Sequence, residues 1–206
     1  MDRLFKIPIL LIFGMLVIIS GCHKLCSTNH YVFNANDCIF QPSKDSIKIG
    51  DTLFFSSITP TLMTNLDDGK KVDYSSAVNF GSVLGVAELI GINAANGAVS
   101  YFTFISQKGE IYTDLKLSPG RVKQLKYIKI NGNYELSFAI VPNKKGIFGI
   151  SFSDMPDVVA DCARSAVTLK FSSTFNTHIH YLKDIYYGGG QINSLNSTYT
   201  YCFKVY

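Results

Sequence analysis

Ile128-Lys129-Ile130-Asn131-Gly132-Asn133-Tyr134-Glu135-Leu136-Ser137-Phe138 is the stretch on which the reading of the whole chain turns. Ile128 and Ile130 before its centre, and Leu136 and Phe138 after it, alternate with polar residues, the period of two that a half-buried strand shows. Between the two runs, Asn131-Gly132 sets side by side two residues that tolerate the positive φ a tight hairpin turn demands. The stretch predicts an antiparallel β-hairpin.

Outward from it, similar segments recur. Val99–Ser106, Glu110–Leu117, Val122–Ile130, Tyr134–Val141 and Gly146–Ser153 are rich in β-branched and aromatic residues. Lys108-Gly109, Ser118-Pro119-Gly120 and Asn143-Lys144-Lys145-Gly146 separate them. Short strands about ten residues apart predict an antiparallel meander within a β-sandwich of the immunoglobulin kind or a related barrel. Earlier, Ile47, Ile49, Leu53 and Phe55 share one parity around Gly50-Asp51, which reads as a strand pair or one kinked strand. Asp67-Asp68-Gly69 is a turn signal, and Tyr74–Ile92 shows no clean period, so helix and strand both remain open there.

Val167, Leu169 and Phe171 alternate within Ala163–Ser172 as in a strand. The period then changes: Phe175, Ile179, Leu182 and Tyr186 fall on one face of a helix that Gly188-Gly189-Gly190 would end. Tyr199–Tyr206 alternates again. The chain is thus expected to be mainly β, with one late α-helix.

The first residues have another character. Arg3 and Lys6 flank an apolar run, Ile7–Ile19, which is too short to span a bilayer that needs about 20 apolar residues. The run ends in Ile19-Ser20-Gly21-Cys22. This motif resembles the lipobox of bacterial lipoproteins, where small residues give a peptidase access and the cysteine thiol takes up a diacylglycerol. The resemblance implies a signal peptide over 1–21, cleavage before Cys22, and two or three acyl chains there, palmitate among them. At about 0.8 kcal/mol per buried methylene, two or three chains anchor stably. Cys22–Lys44, polar and rich in Asn and Ser, reads as a tether, and 45–206 as a single β-rich domain.

Four cysteines remain: Cys26, Cys38, Cys162 and Cys202. An even number in an exported chain predicts two disulfides, for which three pairings are possible. Cys26 with Cys38 is favoured because it closes a short loop in the tether, and Cys162 with Cys202 because it staples the chain end to the body. A four-cysteine zinc site would call for a Cys-x-x-Cys spacing that is not present.

Lys44-Asp45-Ser46-Ile47-Lys48-Ile49-Gly50-Asp51-Thr52-Leu53 and the aromatic closing strand are similar to uncharacterised lipoproteins of the Bacteroidetes. That resemblance implies no activity. It does imply two periplasmic O-glycosylation sites of the Asp-Ser/Thr-aliphatic type, at Ser46 and Thr52. After Cys22 comes His23-Lys24-Leu25. A lysine followed by acids resembles the surface-export signal of that phylum, and here only the lysine is present. An outer-membrane, periplasm-facing position is therefore the expectation.

The formal charge of +4 is spread along the chain and forms no basic stripe, so nucleic acid is not an expected partner. His178 and His180 would share an ion, with Asp184 as third ligand, if they lay on a strand. On the expected helix they diverge by about 200° and stand as surface histidines. Asp154, Asp157 and Asp161 around Met155-Pro156 lack the ligand order of a calcium loop. No Gly-x-Ser-x-Gly occurs, so hydrolase chemistry is unsupported. Tyr186, Tyr187, Tyr199 and Tyr201 are candidates for stacking on sugar rings, although the chain has no Trp.

The expected function is that of a membrane-anchored envelope lipoprotein with a non-catalytic binding or structural β-domain. Its partners would be the membrane, through Cys22, and an envelope protein or glycan, and no cofactor is implied. The alternatives are a carbohydrate-binding module using the tyrosines and a metal-dependent enzyme using His178 and His180.

Overall fold

A computed structural model describes residues 28–35, 38–91, 94–113, 120–160, 163–171 and 201–206. The hairpin forms where the sequence places it. Asn131 and Gly132 take φ of 48° and 78°, and Ile130 faces Asn133 across the turn.

Two sheets build the body. The front sheet runs β2 (Ile39–Gln41), β4 (Leu53–Pro60), β13 (Asn133–Pro142), with β9 (Phe102–Lys108) and β12 (Ile128–Ile130) sharing the far side of β13. The back sheet runs β10 (Glu110–Tyr112), β11 (Val122–Lys126), β7 (Gly81–Gly91), β14 (Gly146–Ser153), β17 (Tyr201–Val205), β3 (Ser46–Ile47), and β8 (Ala94–Gly97) also pairs with β7. A small sheet of β1 (Thr28–Ala35), β16 (Ala163–Phe171) and β15 (Met155–Ala160), and a ribbon of β5 (Leu62–Thr64) and β6 (Lys71–Asp73), complete the described strands. The expected β-sandwich is met.

Strict alternation makes β4 a two-faced strand: Leu53, Phe55, Ser57 and Thr59 are buried, and the residues between them are not. The front sheet's inner rings meet those of the back sheet. Phe40 stacks on Tyr201 at 4.5 Å, Phe55 lies 5.1 Å from Phe152, and Phe102 meets Phe148 edge-on at 4.8 Å. Each ring fully taken from water contributes about 1.5–3 kcal/mol, so this aromatic layer is the main force joining the sheets.

Two connections cross between the sheets at one corner. β9 of the front leads into β10 of the back through Gly109, and β11 of the back leads into β12 of the front through Tyr127. Gly109 has φ of 74°, and a Cβ there would stand 2.4 Å from the Lys126 carbonyl oxygen, so the close crossing requires glycine. Tyr127 turns inward and donates to Ser57 Oγ at 3.1 Å, beside Cys38 Sγ, which lies 3.1 Å from the same oxygen.

Several expectations change. The segment 22–44 is not a tether throughout: Thr28–Ala35 is a strand, paired with β16 over its whole length, and Phe33 and Phe40 are buried in the core. The exposed Asn34 and half-buried Asn29 concealed an inward row of Phe33 and Ala35, with Tyr31 partly buried beside them. Residues 22–27 lie outside the described residues. Two pairings, β1 with β16 and β17 with β3, are parallel, which is open to strands far apart in sequence because parallel neighbours need long connections. Tyr74–Ile92, ambiguous by period, contains the long strand β7. The expected helix from Phe175 to Tyr186 lies outside the described residues. Among those described, the one helical piece is a 3-10 turn, Val99–Tyr101, and no helix is long and apolar enough to cross a membrane.

Candidate interaction surface

An antiparallel sheet with one solvated face normally turns polar side chains outward. The front sheet departs from this. On β4 the outward residues are Phe54, Ser56 and Ile58, with Phe54 and Ile58 each 42% exposed. Phe54 stands opposite Ala139 of β13, which stands opposite Ile105 of β9, itself 51% exposed. Ile58 faces Glu135, which faces Ile128 of β12, and Ile39 of β2 faces Ser56. Phe54, Ala139 and Ile105 thus form an apolar row, Ser56 and Ser137 lie beside it between Ile39 and Lys108, and beyond them Ile58 and Ile128 stand on either side of Glu135. Neighbouring side chains cover Ala139 almost completely, leaving it 3% exposed.

The charge set in this face is neutralised in place. Glu135, largely shielded, accepts from the Lys108 ammonium. The face thus carries several exposed apolar side chains around one ion pair, Lys108 with Glu135.

A concavity lies between the edge of β1 and the β5–β6 ribbon, lined by Phe33, Pro60, Leu62, Met63 and Leu66 among others, with about 170 Å³ of space. Asn65 holds its wall. Its side-chain oxygen accepts from Val32 N–H at 3.0 Å and its amide donates to Asp68 Oδ1 at 2.8 Å. The backbone N–H of Lys70, and then the Asn65 amide, hold the Asp68 carboxyl below the usual carboxylate range. Asp67-Asp68-Gly69 is thus the expected turn, with Gly69 at φ 71°.

Of the residues singled out from sequence, Tyr201 is placed differently. It is fully buried, stacked on Phe40, and its hydroxyl donates to the Lys44 carbonyl. Burial pushes that hydroxyl up to about 12. A ring enclosed in the core cannot stack on a sugar, and the alternation that put Tyr201 on a strand did not say which face would be covered. Tyr186, Tyr187, Tyr199, His178, His180, Asp184, Cys22, Cys26 and Cys162 lie outside the described residues. Cys38 and Cys202 are both buried, and the cysteines expected to pair with them are among those not described.

Ser46 is half-buried on β3, with its hydroxyl 3.4 Å from Asp45 Oδ1, and Thr52 is half-buried just ahead of β4. Among the described residues no three of His, Cys, Asp or Glu come together as a metal-ligand group. Sequence reasoning missed the apolar outer face. The signal was available in Phe54-Phe55, where two adjacent aromatics on one strand must point to opposite faces.

The chain matches no family model, no curated protein and no solved structure.

Proposed function

We propose that this chain is a lipid-anchored protein of the bacterial cell envelope, held to the outer membrane by acyl chains on Cys22. Its β-sandwich serves as a non-catalytic binding module that meets an envelope partner on the outer face of the front sheet. The observation that carries the anchor is the motif Ile19-Ser20-Gly21-Cys22 at the end of a short apolar run. The contact role rests on the exposed apolar side chains of Phe54, Ile105, Ile58 and Ile128.

The start of β1 at Thr28 supports a close association with the bilayer. Six residues, Cys22 to Ser27, would link the acyl chains to the fold, with a reach of about 20 Å at ~3.3–3.6 Å each. A domain on so short a link works beside the membrane and not at a distance from it.

Membrane fractionation tests the proposal. The wild-type chain should sediment with outer membranes and Cys22→Ser should become soluble. A Cys22→Ser chain that stays in the membrane fraction would overturn the anchor.

A further inference from the structure

β1 and β5 are joined at one point and part from there. Leu66 N–H donates to the Val32 carbonyl at 2.8 Å, and the Asn65 side-chain oxygen accepts from Val32 N–H at 3.0 Å. The backbone groups of alternate residues leave a strand on the same side, so Asn34 also turns its N–H and C=O away from β16 and toward β5. On β5, Asn65 N–H donates to the Lys70 carbonyl and the Thr61 carbonyl accepts from Tyr74 N–H, both on the β6 side. By the same alternation Leu62 and Thr64 face β1. Two strand edges thus confront each other across the concavity that Phe33, Asn34, Leu62, Met63 and Thr64 help to line. No described residue bonds to the outward backbone groups of Asn34, Leu62 and Thr64.

Unpaired N–H and C=O groups on both sides call for a ligand that donates and accepts in alternation, as an extended polypeptide does when it joins a sheet edge. The floor calls for an apolar side chain, because Phe33 and Met63 are buried there and Leu62 and Leu66 stand exposed at the mouth. A space of about 170 Å³ suits one such side chain and falls short of the roughly 300–1,000 Å³ that a drug-sized molecule fills. The charge beside Asn34 and Thr64 is positive. Lys170 stands opposite Asn34 and Lys71 opposite Thr64, both are exposed, and neither forms an ion pair with a described residue. Asp73, opposite Leu62 at the other end, is engaged by Ser75 N–H at 2.7 Å.

We propose that this slot binds an extended, acidic peptide segment of a partner protein, which enters as a strand between β1 and β5 and seats one large apolar side chain over Phe33 and Met63. Successive side chains of a strand point to opposite faces, so an acidic residue beside the apolar one turns outward, within reach of Lys71 and Lys170. The slot is separate from the outer face of the front sheet, and the inference is independent of the anchor.

The test uses the full chain purified in detergent and three blocked, fluorophore-labelled pentapeptides, Thr-Glu-Leu-Thr-Thr, Thr-Glu-Gly-Thr-Thr and Thr-Lys-Leu-Thr-Thr, followed by fluorescence anisotropy. The first should bind, and the other two more than tenfold more weakly. Lys71→Glu with Lys170→Glu changes two exposed side chains, leaves the core intact, and should reverse the preference between the Glu and Lys peptides. Thr64→Pro removes an N–H that β6 does not use, a position where an edge strand tolerates proline. It should weaken the first peptide more than tenfold while the urea midpoint stays close to that of the wild type. No binding of the first peptide at millimolar concentration, equal binding of the Gly peptide, or a charge preference that Lys71→Glu with Lys170→Glu leaves unchanged would overturn the site. A dimer of the peptide-free chain that Thr64→Pro dissolves would overturn the peptide in favour of a second copy.

Discussion

Ser57 sits fully buried in an aromatic core and gathers two polar neighbours, the Tyr127 hydroxyl and Cys38 Sγ, each at 3.1 Å. Three polar side chains in such a place cost less together than any one alone, since a buried polar group without a partner costs about 1–3 kcal/mol. Elsewhere the same logic recurs: the hydroxyls of Tyr74 and Ser165 share a hydrogen bond of 2.8 Å between the body and the small sheet. Burial pushes the hydroxyls of Tyr74, Tyr127, Tyr134 and Tyr201 upward from the ordinary value of 10.0. A folded-state value above the unfolded one means that the native protein holds its protons longer. The stability these tyrosines contribute is therefore complete below pH 10 and is lost as pH rises beyond it toward the raised folded values. Urea midpoints should be insensitive to these groups up to about pH 9.5 and fall steeply above pH 10. A midpoint that rises above pH 10 would contradict the burial of the four rings. Phe138, fully buried and stacked on Phe55 at 4.8 Å, should cost about 3–5 kcal/mol on truncation to Ala, measured by urea unfolding.

At the scale of elements, what the sequence disclosed and what it concealed divide along the distance between partners. The hairpin at Asn131-Gly132 was legible because both strands and the turn lie within eleven residues, although Ile128, of the same apolar alternation as Leu136 and Phe138, faces outward while those two are buried. The closing strand was legible too, from Tyr201, Phe203 and Val205. Its burial was not, because the Phe40 ring that covers Tyr201 comes from the other end of the chain. β1 was missed for the same reason: its register partner β16 is remote, and Thr28, Asn29 and Asn34 read as linker. The apolar outer face lay hidden because it joins residues from β2, β4, β9, β12 and β13, which no single period contains. The crossing of β9–β10 beside β11–β12 permits a sharp expectation. Gly109→Ala places a methyl group against the Lys126 carbonyl at a positive φ, and should destabilise by more than about 1 kcal/mol. Gly132→Ala, at φ 78° with open space around it, lacks the clash and should cost less. Equal losses in urea unfolding would mean that the corner is not as tightly crossed as described.

For the whole molecule, the sandwich keeps one apolar surface turned outward and, in the proposed reading, holds it within a short chain's reach of a bilayer. If the front face is a contact surface and not part of the core, its residues are dispensable for folding. Phe54→Ser with Ile105→Thr should then change stability by no more than about 1 kcal/mol, as half-exposed positions do. The same pair should abolish crosslinking between the anchored chain and its neighbours in intact cells. A large loss of stability would make the face structural. Acylation of Cys22 is read from the intact mass of the chain isolated from expressing cells. The expected mass is that of residues 22–206 plus two or three acyl chains, with the acyl increment gone in Cys22→Ser. A wild-type chain that retains residues 1–21, or one cleaved but carrying no acyl increment, would contradict it.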